Sequence, residues 1–288
     1  MKNKKEIYFG LVERPCRFGL RKWESLNLPW ERMRCHGIIK AESHSNWLVL
    51  FKNIVQSVLD QNGRVLIVNR HSKKLFDVEY HEKSMVSHSG YKYQHHDAIT
   101  TEIALDKISF NNVSPYVIKD FAELNDLKTF LWARSDFKDL SKRILYIPES
   151  LSFNKNENNE TIITSMVRDV LNNLLGSPSP DEGANSSEKS LEELVPVLIL
   201  TIGEPWYSDE PILATKLRAV SISSFHLSFS MHDLSQTITD NSGSQLFLFN
   251  KSVNTAKVDS TDGFAHYVVE YGPPNFDGET INSLFKVK

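Results

Sequence analysis

Apolar residues in this chain fall into two kinds of run. Some runs are short and continuous: Gly37-Ile38-Ile39-Lys40-Ala41-Glu42, Arg64-Val65-Leu66-Ile67-Val68-Asn69, Arg143-Ile144-Leu145-Tyr146-Ile147-Pro148, and Val195-Pro196-Val197-Leu198-Ile199-Leu200-Thr201-Ile202. Apolar runs of this length, rich in β-branched residues, suit strands buried on both faces of a parallel sheet. Other apolar residues recur at helical spacing. Trp47, Phe51, Ile54, Val55 and Val58 stand at i, i+4, i+7, i+8 and i+11, which predicts a helix over 47–60. Ser45 or Asn46 can cap its start, and Gly63 can take the left-handed position after its end.

Strand, helix and strand within residues 37–70 make a βαβ unit with a right-handed crossover. Further amphipathic helices are expected at 115–141 (Val117, Phe121, Leu124, Leu127, Phe130, Leu131), at 161–175, and within 211–229. Residues 245–249 and 266–271 read as closing strands that pair as a hairpin. Residues 71–100 are polar, with His71, His81, His88, His95 and His96, and read as a long loop. Residues 176–190, rich in Ser, Pro, Gly and acid, are too polar to pack and read as a mobile excursion within one domain. The alternation of buried strands and helices predicts an α/β domain over 15–275, with a mostly parallel central sheet flanked by helices, and tails at 1–14 and 276–288.

Composition narrows the classes of function. With 288 residues, 40% hydrophobic and 24% charged, the chain can bury a sizeable core and is not a disordered or fibrous protein. Thirty-three basic residues against 36 acidic ones give a net charge of −3, which excludes a broadly cationic surface but not a local basic patch. Two cysteines, Cys16 and Cys35, make no disulfide scaffold and fit a reducing compartment. No window reaches 18 apolar residues and no signal segment opens the chain, so a cytoplasmic or nuclear location is expected, with no membrane.

Candidate chemistry is sparse. His95 and His96 are adjacent and diverge on any regular element, and no C-x-x-C or H-E-x-x-H accompanies the histidine group, so no metal is expected. Cys35-His36 with His44 lacks the spacing of a nucleophile and its base, and Cys35 reads as a small buried residue. Arg70, His71, Lys73 and Lys74 form a basic cluster at the end of the second strand, where open α/β sheets gather their ligands; they are candidates for contact with nucleic-acid phosphates. The alternative is a solvated loop.

The layout resembles RecA-like proteins. Phe18-Gly19-Leu20-Arg21-Lys22-Trp23-Glu24-Ser25-Leu26-Asn27-Leu28-Pro29-Trp30 stands where that family opens, and the strand–turn–helix–strand of 37–69 follows in the family's order. Arg143–Pro148 stands at the Walker B strand of the resemblance and Val195–Ile202 at the next core strand. A working phosphate loop needs glycines whose N–H groups wrap phosphates, a lysine, and a Ser/Thr for Mg²⁺. Here Lys40-Ala41-Glu42-Ser43-His44-Ser45-Asn46-Trp47 holds no glycine and no lysine at its end, and Glu42 would repel phosphate. Glu149 lies just past the Walker B equivalent, with no Asp at its tip. The resemblance therefore implies a degenerate loop (Glu42, Ser43, His44, Ser45, Asn46), no cofactor and no ATP hydrolysis. Among such families the chain looks most like the RecA-like subunits of the Elongator hexameric subcomplex, through Leu28-Pro29 and Ile144-Leu145-Tyr146-Ile147-Pro148-Glu149-Ser150-Leu151. That resemblance implies a non-catalytic subunit in a hetero-oligomer with paralogous partners, assisting tRNA wobble-uridine modification. A divergent recombinase paralogue acting with single-stranded DNA is the alternative, and an enzyme with unrecognised chemistry a third.

Overall fold

The computed structural model describes residues 6–15, 21–30, 37–41, 47–86, 92–110, 113–120, 122–123, 127, 130–131, 142–155, 161–176, 195–206, 212–219, 222–229, 244–248, 255–260 and 267–270. In chain order the strands are β1 (Glu6–Pro15), β2 (Arg21–Pro29), β3 (Gly37–Ala41), β4 (Arg64–Arg70), β5 (Leu75–Val86), β6 (Lys92–Ile103), β7 (Tyr116–Val117), β8 (Ile144–Ile147), β9 (Val197–Gly203), β10 (Ile222–Ser228), β11 (Ser244–Leu248), β12 (Thr255–Ser260) and β13 (Tyr267–Glu270). The helices are α1 (Trp47–Asp60), α2 (Glu149–Ser152), α3 (Ile162–Gly176) and α4 (Ile212–Ala219).

One sheet runs β2-β1-β13-β12-β11-β3-β10-β9-β4-β8-β7. From β11 to β7 every neighbouring pair is parallel, and from β11 to β2 every pair is antiparallel. The continuous apolar runs supply the middle of the parallel part, where β4, β8 and β9 are buried almost throughout. Alternate residues feed two cores. Val65, Ile67, Ile144, Tyr146, Leu198 and Leu200 pack with α1 on one face. Leu66, Val68, Leu145, Ile147, Val197 and Ile199 pack with α3 and α4 on the other. The chain is thus an α/β protein, its mostly parallel central sheet covered by helices on both faces.

Helix α1 spans the residues that the periodicity predicts. Its end is a Schellman motif: the Gly63 N–H donates to the Val58 carbonyl (2.8 Å) and the Asn62 N–H to the Leu59 carbonyl (3.0 Å). The left-handed residue is Asn62 (φ 58°) rather than Gly63. Gly63 is required by crowding instead, since a Cβ there would lie 2.6 Å from the Val58 carbonyl oxygen and 2.8 Å from that of Pro196.

Elsewhere the chain departs from the sequence expectation. Where a loop is expected over 71–100, residues 75–86 and 92–103 form the antiparallel β5–β6 hairpin, in register from Leu75 opposite Ile103 to Val86 opposite Lys92. Val78, Tyr80, Val86, Tyr93, Ile99 and Thr100 give it β propensity, but charges and histidines between them dilute the apolar signal. The expected helix at 115–141 begins as strand: Tyr116 and Val117 pair with β8, and helical residues are described only at 127, 130 and 131. The expected helix in 211–229 is half helix and half strand. Its second half is β10, a fully buried central strand in which serines and His226 interrupt the apolar pattern. Strands β11 and β13 do not pair with each other, because β12 lies between them. The tail drawn at 1–14 falls within β1 from Glu6 onward. The excursion at 177–190 and the tail at 276–288 lie outside the described residues.

Candidate functional site

In the resemblance, a triphosphate would sit between the tip of β3 and the start of α1. Loop residues Glu42, Ser43, His44, Ser45 and Asn46 lie outside the described residues, as do Cys35 and His36. The first residue of α1 does not. In the eight-residue window 40–47 that stands for the phosphate loop, Trp47 occupies the place of the Mg²⁺-binding Ser/Thr. Its side chain is buried, and its indole N–H donates to the Phe76 carbonyl at the base of the hairpin (2.9 Å). Phe51 and Phe229 meet the ring edge to face, each with centroids 5.7 Å away. An indole offers one donor and no lone pair for a cation.

Strand order relocates the acid. Between β3 and β8 lie β10, β9 and β4, so the two tips are four strand spacings apart, about 19 Å at ~4.8 Å each. Glu149, at the tip of β8, cannot serve a metal held at the tip of β3, and the assignment of Arg143–Pro148 as the Walker B strand is corrected. The strand two places from β3 is β9, at about 10 Å, and the first residue beyond it is Glu204.

Glu204 is half exposed and pairs with Arg70 at 3.6 Å. Arg70 itself points inward, with 4% of its side chain exposed. One guanidinium nitrogen donates to the Pro205 carbonyl (2.8 Å), and the group lies 4.9 Å from the centre of the Phe153 ring. It ties the end of β4 to the turn after β9, where Gly203 has φ +94° and abuts the Arg70 carbonyl. Arg70 is therefore a structural clamp and does not belong to a phosphate-contacting cluster.

His71, Lys73 and Lys74 instead rim an open cleft of about 250 Å³ at the carboxyl ends of β4 and β8, lined also by Asn69, Asp106, Tyr146 and Glu149. Sheet ends of this kind collect ligands in open α/β folds. The floor is fixed. The Asn69 amide donates to the Tyr146 hydroxyl (3.1 Å), its carbonyl oxygen accepts the His71 backbone N–H (3.1 Å), and the Ser152 hydroxyl donates to the Asn69 main-chain carbonyl (2.6 Å). Burial, with smaller contributions from Asp106 and Glu149, raises the Tyr146 pKa, so its phenol stays protonated through neutral pH. The His71 ring packs on Phe229 with centroids 5.1 Å apart. Lys74 is engaged by Glu102 at 2.8 Å, both exposed. Around the cleft two ammonium groups meet three carboxylates (Glu102, Asp106, Glu149), so it is not the cationic track that a polyanion selects. Asn69 and Tyr146 escaped the sequence reading because each looks like a polar end to an apolar run. The usable signal was that both stand at the tips of adjacent strands.

The amino end of the sheet holds a second cationic pair. Arg64 is buried, and its guanidinium donates to the Phe130 carbonyl (2.9 Å). Desolvation, and secondarily the nearby Arg143 charge, lower its pKa to about 10. Arg143 donates to the carbonyls of Leu59 and Gly63, closing the end of α1. Both are structural. Among the described residues no group of three His, Cys, Asp or Glu side chains is placed to hold a metal, and no helix is long and apolar enough to cross a membrane.

No family model and no curated protein matches the sequence. Solved structures do resemble it in layout. The cytoplasmic domain of the Type VII secretion ATPase EccC from Thermomonospora curvata matches 95% of this chain over 27% of its own length, at 9% identity and a TM-score of 0.48. EssC (ATPases 2 and 3) from Geobacillus thermodenitrificans matches 98% of this chain over 47% of its own, at 9% identity and a TM-score of 0.43. The genome packaging NTPase B204 from Sulfolobus turreted icosahedral virus 2 matches 85% of this chain over 99% of its own, at 6% identity and a TM-score of 0.45. The chain spans between a quarter and a half of the secretion ATPases it matches.

Proposed function

We propose that this protein is a RecA-like subunit without ATP hydrolysis, acting as a structural member of a hetero-oligomer with paralogous partners. The observation that supports this best is Trp47. Where a phosphate loop places a hydroxyl for Mg²⁺, this chain places a buried indole committed to the Phe76 carbonyl and two phenylalanine rings. The absence of glycine and lysine across 41–46, and the carboxylate of Glu42, act in the same direction. The acid that follows β9, two strands from β3, is Glu204, and it is paired with Arg70.

The finer reading, an Elongator-type accessory subunit assisting tRNA wobble-uridine modification in cytoplasm or nucleus, rests on the resemblance of Leu28-Pro29 and residues 144–151. In that reading tRNA meets a surface other than the cleft rimmed by His71, Lys73 and Lys74, because carboxylates there outnumber the ammonium groups. Purified protein should bind neither ATP nor its fluorescent analogues in the presence of Mg²⁺, and should co-purify from its native cell with related subunits. Hydrolysis that disappears on Glu204→Gln would overturn the reading. Capture together with recombination proteins and single-stranded DNA would replace the tRNA version.

A further inference from the structure

The cleft at the tips of β4 and β8 has a feature that the assembly role does not use. Tyr146 is only 6% exposed, yet it is among the residues that line the opening. The Asn69 amide donates to the Tyr146 hydroxyl, so the phenol's own proton must be given to some other acceptor, and no described residue takes it. A buried donor held in this way is worth filling, since leaving it unmet forfeits a hydrogen bond. Asn69 cannot turn away, because its other amide atom is held by the His71 N–H and its backbone by Ser152. The donor is therefore preorganised.

The charges around it are divided by segment. Lys73 and the His71 ring come from the stretch leaving β4, while Asp106 and Glu149 come from the turn after β6 and the start of α2. Lys74 is occupied by Glu102, which leaves the Lys73 ammonium and the carboxylates of Asp106 and Glu149 among the lining residues. A phosphate or a nucleotide would face both carboxylates. A simple amine would leave the Tyr146 proton and Lys73 unmet. A ligand carrying adjacent positive and negative groups satisfies all of them. The volume of about 250 Å³ lies just under the usual range for ligand sites and suits a molecule of roughly ten heavy atoms.

We propose that this cleft binds a compact zwitterion of the α-amino-acid class. Its carboxylate accepts from the Tyr146 hydroxyl and pairs with Lys73, and its ammonium group faces Asp106 and Glu149. In the sheet the tips of β4 and β8 stand three and four strands from β3, and the His71 ring of the cleft reaches back toward α1 through Phe229, which packs on Trp47.

The test is calorimetric titration of the full chain with L-alanine, L-serine, L-glutamate and L-lysine, beside acetate, methylammonium and inorganic phosphate as partial probes. At least one amino acid should bind, and more tightly than acetate or methylammonium. Tyr146→Phe, which keeps the ring and removes only the donor, should weaken binding by about fivefold to tenfold. Glu149→Gln and Lys73→Ala should each weaken it by a similar factor, with far-ultraviolet circular dichroism unchanged. Failure of all four amino acids to bind would overturn the proposal. So would equal affinity in Tyr146→Phe and Glu149→Gln, or binding of phosphate alone.

Discussion

The reassignment of Arg70 from a surface contact to an internal clamp can be tested by Arg70→Met, which keeps the apolar stem and deletes the guanidinium. At least three interactions go with it. The bond to the Pro205 carbonyl is 2.8 Å long, buried and charge-assisted, which places it at about 1.5–3 kcal/mol. The Phe153 contact at 4.9 Å involves a ring 38% exposed, so its share is about 0.5–1 kcal/mol. The pair with Glu204 is the weakest: at 3.6 Å and with the glutamate half in solvent, it adds at most ~1 kcal/mol. The sum is about 2–5 kcal/mol, against roughly 0–0.5 for removing an exposed cation such as Lys73. Urea unfolding followed by tryptophan fluorescence reads this directly, as a fall in midpoint at unchanged slope for Arg70→Met and almost none for Lys73→Ala. If Arg70→Met were as stable as the parent while affinity for tRNA or single-stranded DNA fell, the clamp reading would be refuted and the sequence expectation restored.

Other outcomes follow from neighbouring geometry. Gly203→Ala puts a Cβ 2.4 Å from the Arg70 carbonyl oxygen at φ +94°, and should lose about 2 kcal/mol or more in the same urea assay. Trp47→Phe keeps an aromatic ring but orphans the Phe76 carbonyl; a loss of about 1–2 kcal/mol is expected, together with faster amide exchange at the base of the β5–β6 hairpin. Burial raises the pKa of Tyr146 in the folded state above that of the unfolded chain. Its stabilising share is therefore intact below the ordinary tyrosine pKa near 10 and fades as pH climbs through the folded value. Denaturation series between pH 8 and 11 should show a shallower alkaline decline for Tyr146→Phe than for the parent, with the remaining decline carrying the half-buried Tyr8, which is shifted in the same direction. Arg64 runs oppositely: its pKa, lowered to about 10, makes the folded state relatively better as pH rises past that value.

What could be read from residues alone divides along a physical line. Burial on both faces leaves a mark in one dimension, so β3, β4, β8 and β9 stand out as apolar runs, and α1 stands out by its period. Strand β10 is buried just as deeply, but Ser223, Ser224, His226 and Ser228 occupy its length. Its polar side chains are tolerated there by local partners such as the Ser224–His226 contact at 3.4 Å, and no pattern of hydrophobicity reports a partner. The order of strands is harder still, because it depends on which element returns between which. That order, and not the residues beside Glu149, decided which acid could stand near β3. The basic cluster fails for a related reason. Arg70, His71, Lys73 and Lys74 are neighbours in sequence, but Arg70 ends a strand and turns under the sheet while the others follow the loop outward. Charge adjacency along a chain becomes a charged surface only if the backbone keeps the side chains on one side, and at the end of β4 it does not. The same divergence brings the carboxylates of Asp106 and Glu149, 35 and 78 residues beyond His71 in the numbering, to the rim of one cleft. A site assembled from three strand ends is written in topology, and it becomes visible only when the sheet is closed.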